Sequence, residues 1–234
     1  DSDSWNEFTP KVTLTYNLDN GIVYGTFASG FKSGGFNHPL RVGTVIEPET
    51  IDMIELGYKA DLTDSLRLTS SLFVYSYKDL QVTKAASDSA TVSTENATDS
   101  DIKGLDVALT WAASENLTFQ VNAEYLDTED EDYETAGRAP NTVLTGDPAA
   151  IGYGFVFFNA KGQELLRSPE LAVYVAVQYD SQLSIGGREG NLSFNMNYAW
   201  KDDYIFDFEV DPLVDVTQDA HGILNTRATL TIDK

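Results

Sequence analysis

The chain has only two histidines, His38 and His221, the side chains best suited to general acid–base work near neutral pH. Neither stands in a G-x-S-x-G or H-E-x-x-H context, so their spacing supports neither a nucleophilic triad nor a zinc site. Carboxylates are abundant, 37 against 15 basic side chains, but they gather in loop-like stretches that single out no acid–base pair. The acidic runs 127–134 and 202–219 offer oxygens to a divalent ion. They lack EF-hand spacing and its central glycine, and read as solvated loops. Gly152-Tyr153-Gly154-Phe155-Val156-Phe157-Phe158 nearly spells an RNA-recognition strand, with Ile151 where a basic residue belongs. A net charge of −22 disfavours a phosphate backbone, and nucleic acid is not an expected partner. The segment reads instead as a glycine-aromatic loop. Sequons at Asn96, Asn116 and Asn191 carry meaning only in a eukaryotic secretory setting.

What remains is recognition chemistry. Lys32, Phe36, Asn37, His38 and Arg41 fall in one stretch, and Tyr75, Tyr77, Lys78 and Gln81 in another. Cationic and aromatic groups together could hold an anionic, planar-ringed chelate by charge and stacking. Tyrosines near strand ends serve equally as interfacial anchors, and a lysine beside acidic loops can simply pair there. No bond chemistry is implied, and the chain is not expected to be an enzyme or to carry a cofactor or metal.

The elements that must position these groups alternate apolar and polar residues with period two. Val12, Leu14, Tyr16 and Leu18 begin the series; Ile54, Leu56, Tyr58 and Ala60 follow, then Leu66, Leu68, Leu72 and Val74. Leu105 to Trp111, Leu117 to Tyr125, Leu171 to Tyr179, Leu192 to Trp200 and Leu224 to Ile232 continue it. With Ile22 to Phe31 this predicts nine strands and no helix. The apolar positions carry almost no charge. Alternation alone suits a soluble sandwich as well as a membrane barrel. Tyr16, Tyr58, Trp111, Tyr125, Tyr179 and Trp200 near strand ends resemble an interfacial girdle, which favours lipid on the apolar side.

Connection lengths carry more weight. Residues 19–21, 63–65 and 113–116 read as tight hairpin turns, whereas 37–49, 83–100, 129–169 and 203–220 are long. Short turns at one end and long loops at the other are the outer-membrane arrangement. The stretch 180–190 stands out as a longer connection where a short one is due. No stretch approaches about 18 apolar residues, so only closed strands could cross a bilayer. Residues 1–25 lack the charged and apolar regions of a signal peptide. Zero cysteine excludes disulfides and thiolate sites.

Two strings are more specific than any of this. Ser29-Gly30-Phe31-Lys32-Ser33-Gly34-Gly35-Phe36-Asn37 is followed by Pro48-Glu49-Thr50 and Ile54-Glu55-Leu56-Gly57-Tyr58-Lys59. Leu72, Phe73, Tyr75, Tyr77, Lys78, Asp79, Leu80 and Gln81 then complete a third. Together they resemble the barrel of TonB-dependent outer-membrane receptors. The resemblance implies an antiparallel transmembrane β-barrel, of which residues 1–234 would supply about nine of 22 strands, without the plug domain. It implies a Gram-negative outer membrane, with lipid and lipopolysaccharide around the barrel. It implies uptake of a scarce nutrient, most often a ferric siderophore, driven by TonB through the plug. The odd strand count and the missing C-terminal aromatic are read as those of a partial barrel, its later strands stopping about two short of the end. A passive porin or adhesin barrel, or a soluble carbohydrate-binding sandwich, are the alternatives.

Overall fold

The computed structural model describes residues 3–37, 45–85, 92–96, 99–130, 134–159, 161–162, 164–206 and 216–232. Nine long strands dominate: β1 Lys11–Leu18, β2 Gly21–Lys32, β3 Glu49–Thr63, β4 Leu66–Lys78, β5 Ser100–Ser114, β6 Leu117–Asp130, β7 Leu171–Ile185, β8 Arg188–Lys201 and β9 His221–Ile232. They form one antiparallel sheet in chain order, each strand beside its successor. The nine predicted strands are these nine.

Period-two alternation has a direct consequence in such a ladder. Residues opposite one another lie on the same side of the sheet, so one apolar face runs across all nine strands. One row reads Val23, Tyr58, Ser70, Val107, Ala123, Val173 and Trp200. The opposite face carries Tyr24, Gly57, Ser71, Asp106, Glu124, Ala172 and Lys201 in its matching row. Tyr58 sits five residues from the end of its strand, and Trp200 one residue from the opposite end of its own. A row perpendicular to the strands therefore climbs from one edge of the sheet towards the other, as in a tilted barrel wall.

A single sheet has almost no interior. Among the described residues only Ile46, Ala60, Phe73 and Ala176 are buried apolar side chains. Leu14 is 76% exposed, Ile54 63% and Leu224 60%. A sandwich would cover these side chains with a second sheet, and no second large sheet stands among the described residues. The apolar face ends at a polar row, Ser29, Asp52, Ser76 and Asp101, where Ser29 donates a hydrogen bond to Asp52.

Four two-residue turns join the strands at one end: Asp19-Asn20, Asp64-Ser65, Glu115-Asn116 and Gly186-Gly187. The last corrects the expectation of a longer connection at 180–190. The ladder runs on to Ile185 and Arg188, and Gly186 and Gly187 adopt φ of 60° and 81°, the pair of left-handed residues of a type I′ turn. Polar Asp180, Ser181 and Gln182 had hidden it, because the strand continues past its apolar stretch. Asn20 and Asn116 also fasten each turn to the next hairpin. The Asn116 carbonyl accepts from the Asp180 amide at 2.9 Å, and its side chain donates to the Asp180 carbonyl at 2.6 Å.

The other end carries two-stranded ribbons where loops were expected. Gly35–Phe36 pairs with Val45–Ile46, Gln81–Ala85 with Val92–Asn96, Glu134–Pro140 with Tyr153–Asn159, and Tyr204–Ile205 with Thr217–Gln218. The glycine-aromatic segment is therefore the second strand of the third ribbon. One short helix, Asn141–Thr145, was not expected; Pro140 opens it and left-handed Gly146 closes it. Five residues are too few to show a helical period.

Candidate functional site

The ribbon end is where the predicted recognition residues fall, and strand alternation divides them. Lys32 pairs with Glu49 in the ladder, Tyr75 with Met53 and Tyr77 with Ile51. All lie on the polar face. Lys78, opposite Thr50, lies on the other face with the apolar side chains. Sequence proximity had grouped Tyr77 with Lys78, but neighbours along a strand point to opposite sides. His38 and Arg41 lie outside the described residues.

Lys32 is not an unpaired cation. Its Nζ stands 3.6 Å from Glu49 Oε2, with the lysine side chain 59% exposed and the carboxylate 14%. The same oxygen accepts the Gln81 backbone N–H at 2.9 Å. An anion approaching Lys32 must compete with Glu49, so charge alone gives it little hold.

Rings form two separate pairs at this end. Tyr75 lies against Phe73 with centroids 4.9 Å apart. Phe36, in the first ribbon, packs on Trp5 at 5.9 Å with planes inclined by 55°. Trp5 escaped the sequence reading; the available signal was an indole just before β1, at the strand end that meets the ribbons. Gly34 makes room for it, since a Cβ there would lie 2.6 Å from Trp5 Cε2.

Two further members of the predicted set point elsewhere. Asn37 Nδ2 donates to the Thr94 carbonyl at 2.7 Å, and its Oδ1 accepts the Thr94 amide at 2.8 Å. Gln81 Nε2 donates to the carbonyls of Ser33 and Glu47, each at 3.0 Å. These side chains bridge one ribbon to the other.

The polar face continues down the sheet. A recess of about 350 Å³ is lined there by Thr69, Asp106, Asn122, Glu124, Tyr174 and Lys201 among others. Tyr24 and Glu55 lie nearby on the same face, and Lys59 rests 5.2 Å from the centre of the Tyr24 ring. Among the described residues no group of His, Asp and Glu is arranged to hold a metal ion.

The family model described as TonB dependent receptor-like, beta-barrel, matches residues 1–234, and the chain belongs to that family. Three solved structures share its fold. The ferric yersiniabactin uptake receptor FyuA from Yersinia pestis superposes with a TM-score of 0.66 at 16% identity, over 93% of this chain and 29% of that one. BauA, the ferric preacinetobactin receptor from Acinetobacter baumannii, gives 0.65 at 16% identity over 97% and 30%. The siderophore receptor PiuA from Acinetobacter baumannii gives 0.62 at 15% identity over 94% and 29%. The chain thus spans about three-tenths of the length of each. No curated protein sequence matches it.

Proposed function

We propose that this chain is a segment of the barrel of an outer-membrane receptor that takes up a ferric siderophore. The observation that carries the reading is the division of one sheet into two faces. An exposed apolar band bounded by aromatic and polar rows suits lipid, and the opposite face suits a water-filled or protein-filled lumen. The family and the three solved siderophore receptors supply the direction of the proposal. The lumen-side recess, with Asp106 and Glu124 beside Lys201, suits contact with a plug domain, through which the TonB complex would drive uptake.

In this reading the ligand meets the ribbon end. Phe36, Trp5, Tyr75 and Tyr77 would offer rings to a planar chelate, while Lys32 would contribute charge only by exchanging Glu49 for the ligand. The barrel would sit in a Gram-negative outer membrane, its band surrounded by lipid and its outer rim by lipopolysaccharide.

The test is uptake of radiolabelled ferric iron complexed with siderophores from the host's own spent medium, in iron-starved cells expressing the full-length receptor. Uptake should require an intact TonB complex. Uptake that persists without TonB would indicate a passive barrel, and no uptake of any ferric complex would turn attention to a different nutrient. Replacing Tyr75 and Tyr77 together by Ala should weaken binding about tenfold, with outer-membrane abundance unchanged. Unaltered binding would remove both rings from the site.

A further inference from the structure

Asn37 and Asn96 make the same unusual exchange in opposite directions. Asn37 belongs to the end of the first ribbon and grips both backbone groups of Thr94 in the second. Asn96 belongs to the second ribbon and grips both backbone groups of Glu47, just past the first. Its Oδ1 accepts the Glu47 amide at 2.8 Å, and its Nδ2 donates to the Glu47 carbonyl at 2.9 Å. A carboxamide has the donor and acceptor of a peptide group, so each asparagine makes with its partner residue the two bonds that a strand's backbone would make. Gln81 adds a third tie, from the second ribbon to Ser33 and Glu47 on either side of the first. Asn96 Nδ2 also donates to the Asp79 carbonyl at 2.8 Å, and Asp79, at φ of 55°, turns the chain out of β4 into the ribbon.

We infer that Asn37, Gln81 and Asn96 form a latch that joins the strand pair Gly35–Phe36 with Val45–Ile46 to the strand pair Gln81–Ala85 with Val92–Asn96 as one body at the end of β2, β3 and β4. This goes beyond the uptake reading and does not depend on it. Its physical basis is reciprocity: neither ribbon can shift without breaking bonds at two points, since Asn37 and Glu47 flank opposite ends of the first strand pair while Thr94 and Asn96 stand two residues apart on one strand of the second. Glu49 anchors the assembly to the sheet, because one of its oxygens receives the Gln81 amide and faces Lys32. A two-residue strand pair such as 35–36 with 45–46 is too short to be stable alone. The latch adds to the packing of Phe36 on Trp5 in holding it. Two of the side chains that look like ligand contacts in the sequence, Asn37 and Gln81, thereby become parts of the frame at this end of the sheet.

Amide hydrogen exchange of the full-length receptor, without any ligand, tests this. Asn96→Ala directly frees the Glu47 amide. If the ribbons open as one body, it also speeds exchange in the peptide containing Thr94 by about tenfold, although Asn37 is untouched. Asn37→Ala should do the converse at Glu47. Gln81→Ala, which leaves both asparagine grips in place, should speed both peptides by a smaller factor. A variant that loses only the amide it directly held, with the far peptide unchanged, shows independent bonds and overturns the latch. Should either asparagine variant fail to give a heat-modifiable barrel, Gln81→Ala decides alone, and unchanged exchange in both peptides overturns the proposal.

Discussion

The two faces of the sheet are made from the same strands, yet they constrain their residues differently. On the apolar face Leu14, Ile54, Leu72, Val121, Val175 and Leu224 need only be apolar and roughly strand-forming, since their outer surfaces meet no specific partner. On the polar face many residues have a particular neighbour. Thr13 and Thr26 share a hydrogen bond at 3.0 Å across β1 and β2. Asn225 donates to Asn197 at 3.1 Å, and Asn197 to Asn195 at 3.3 Å, forming a short carboxamide ladder. The Tyr24 ring covers Gly57, and the Phe73 ring covers Gly104. One face is specified by polarity and the other by identity.

The largest expected effect comes from breaking polarity. Val121→Arg near the middle of the band should destabilise the folded receptor in lipid by about 2–4 kcal/mol, whereas Asn122→Arg, one residue along on the other face, should cost far less. Reversible unfolding of the full-length variants in lipid vesicles measures both. Equal costs would mean that the faces are not solvated differently. Next in size is a steric change where identity matters. Gly104→Val drives two methyl groups into the space held by the Phe73 ring, and overpacking of this kind costs about 1–3 kcal/mol. Val107→Ile, three positions along and so on the apolar face, should be nearly neutral in the same assay. A smaller effect should follow Asn197→Ala, which interrupts the ladder and costs about 0.5–1.5 kcal/mol. The smallest effect should be at the turn end. Arg67 and Asp61 form a two-pronged pair with bonds of 2.7 and 3.0 Å, each side chain more than half exposed. Arg67→Ala should leave the unfolding midpoint at that of the parent protein, and a clear loss would mean that the pair is sheltered by something beyond this chain.

The same contrast governs what could be read without coordinates. Strand number, the membership of each face and three of the four tight turns follow from alternation and turn chemistry, because both are local signals with a fixed period. The fourth turn was obscured where Asp180, Ser181 and Gln182 interrupt the apolar run. The paired ribbons were read as loops, because strands of two to seven residues show too little alternation to be recognised. The residues of the candidate site stand at or near the ribbon end of the sheet, as their places in the sequence suggest, but their types alone do not give their roles. Asn37 and Gln81 carry groups that bind backbone as well as ligand, and only their long-range partners, Thr94, Ser33 and Glu47, distinguish the two uses. Lys78 was misgrouped for a different reason. Its charge drew it to Lys32, whereas its parity in β4 puts it on the far side.

The glycines under Tyr24 and Phe73 carry a consequence for descent. Each pair is complementary in volume: the ring occupies the place where the facing residue's Cβ would be. A lineage that enlarges Gly104 first passes through a clash, and one that shrinks Phe73 first passes through a bared patch of backbone in the strand beside it. Neither single step is free, so the two positions should change together or hardly at all. In relatives of this chain the ring should therefore be found on either strand of such a pair, but seldom on both and seldom on neither. Positions 57 and 24, and 104 and 73, would then drift as joint characters within a sheet whose apolar face is free to vary one residue at a time.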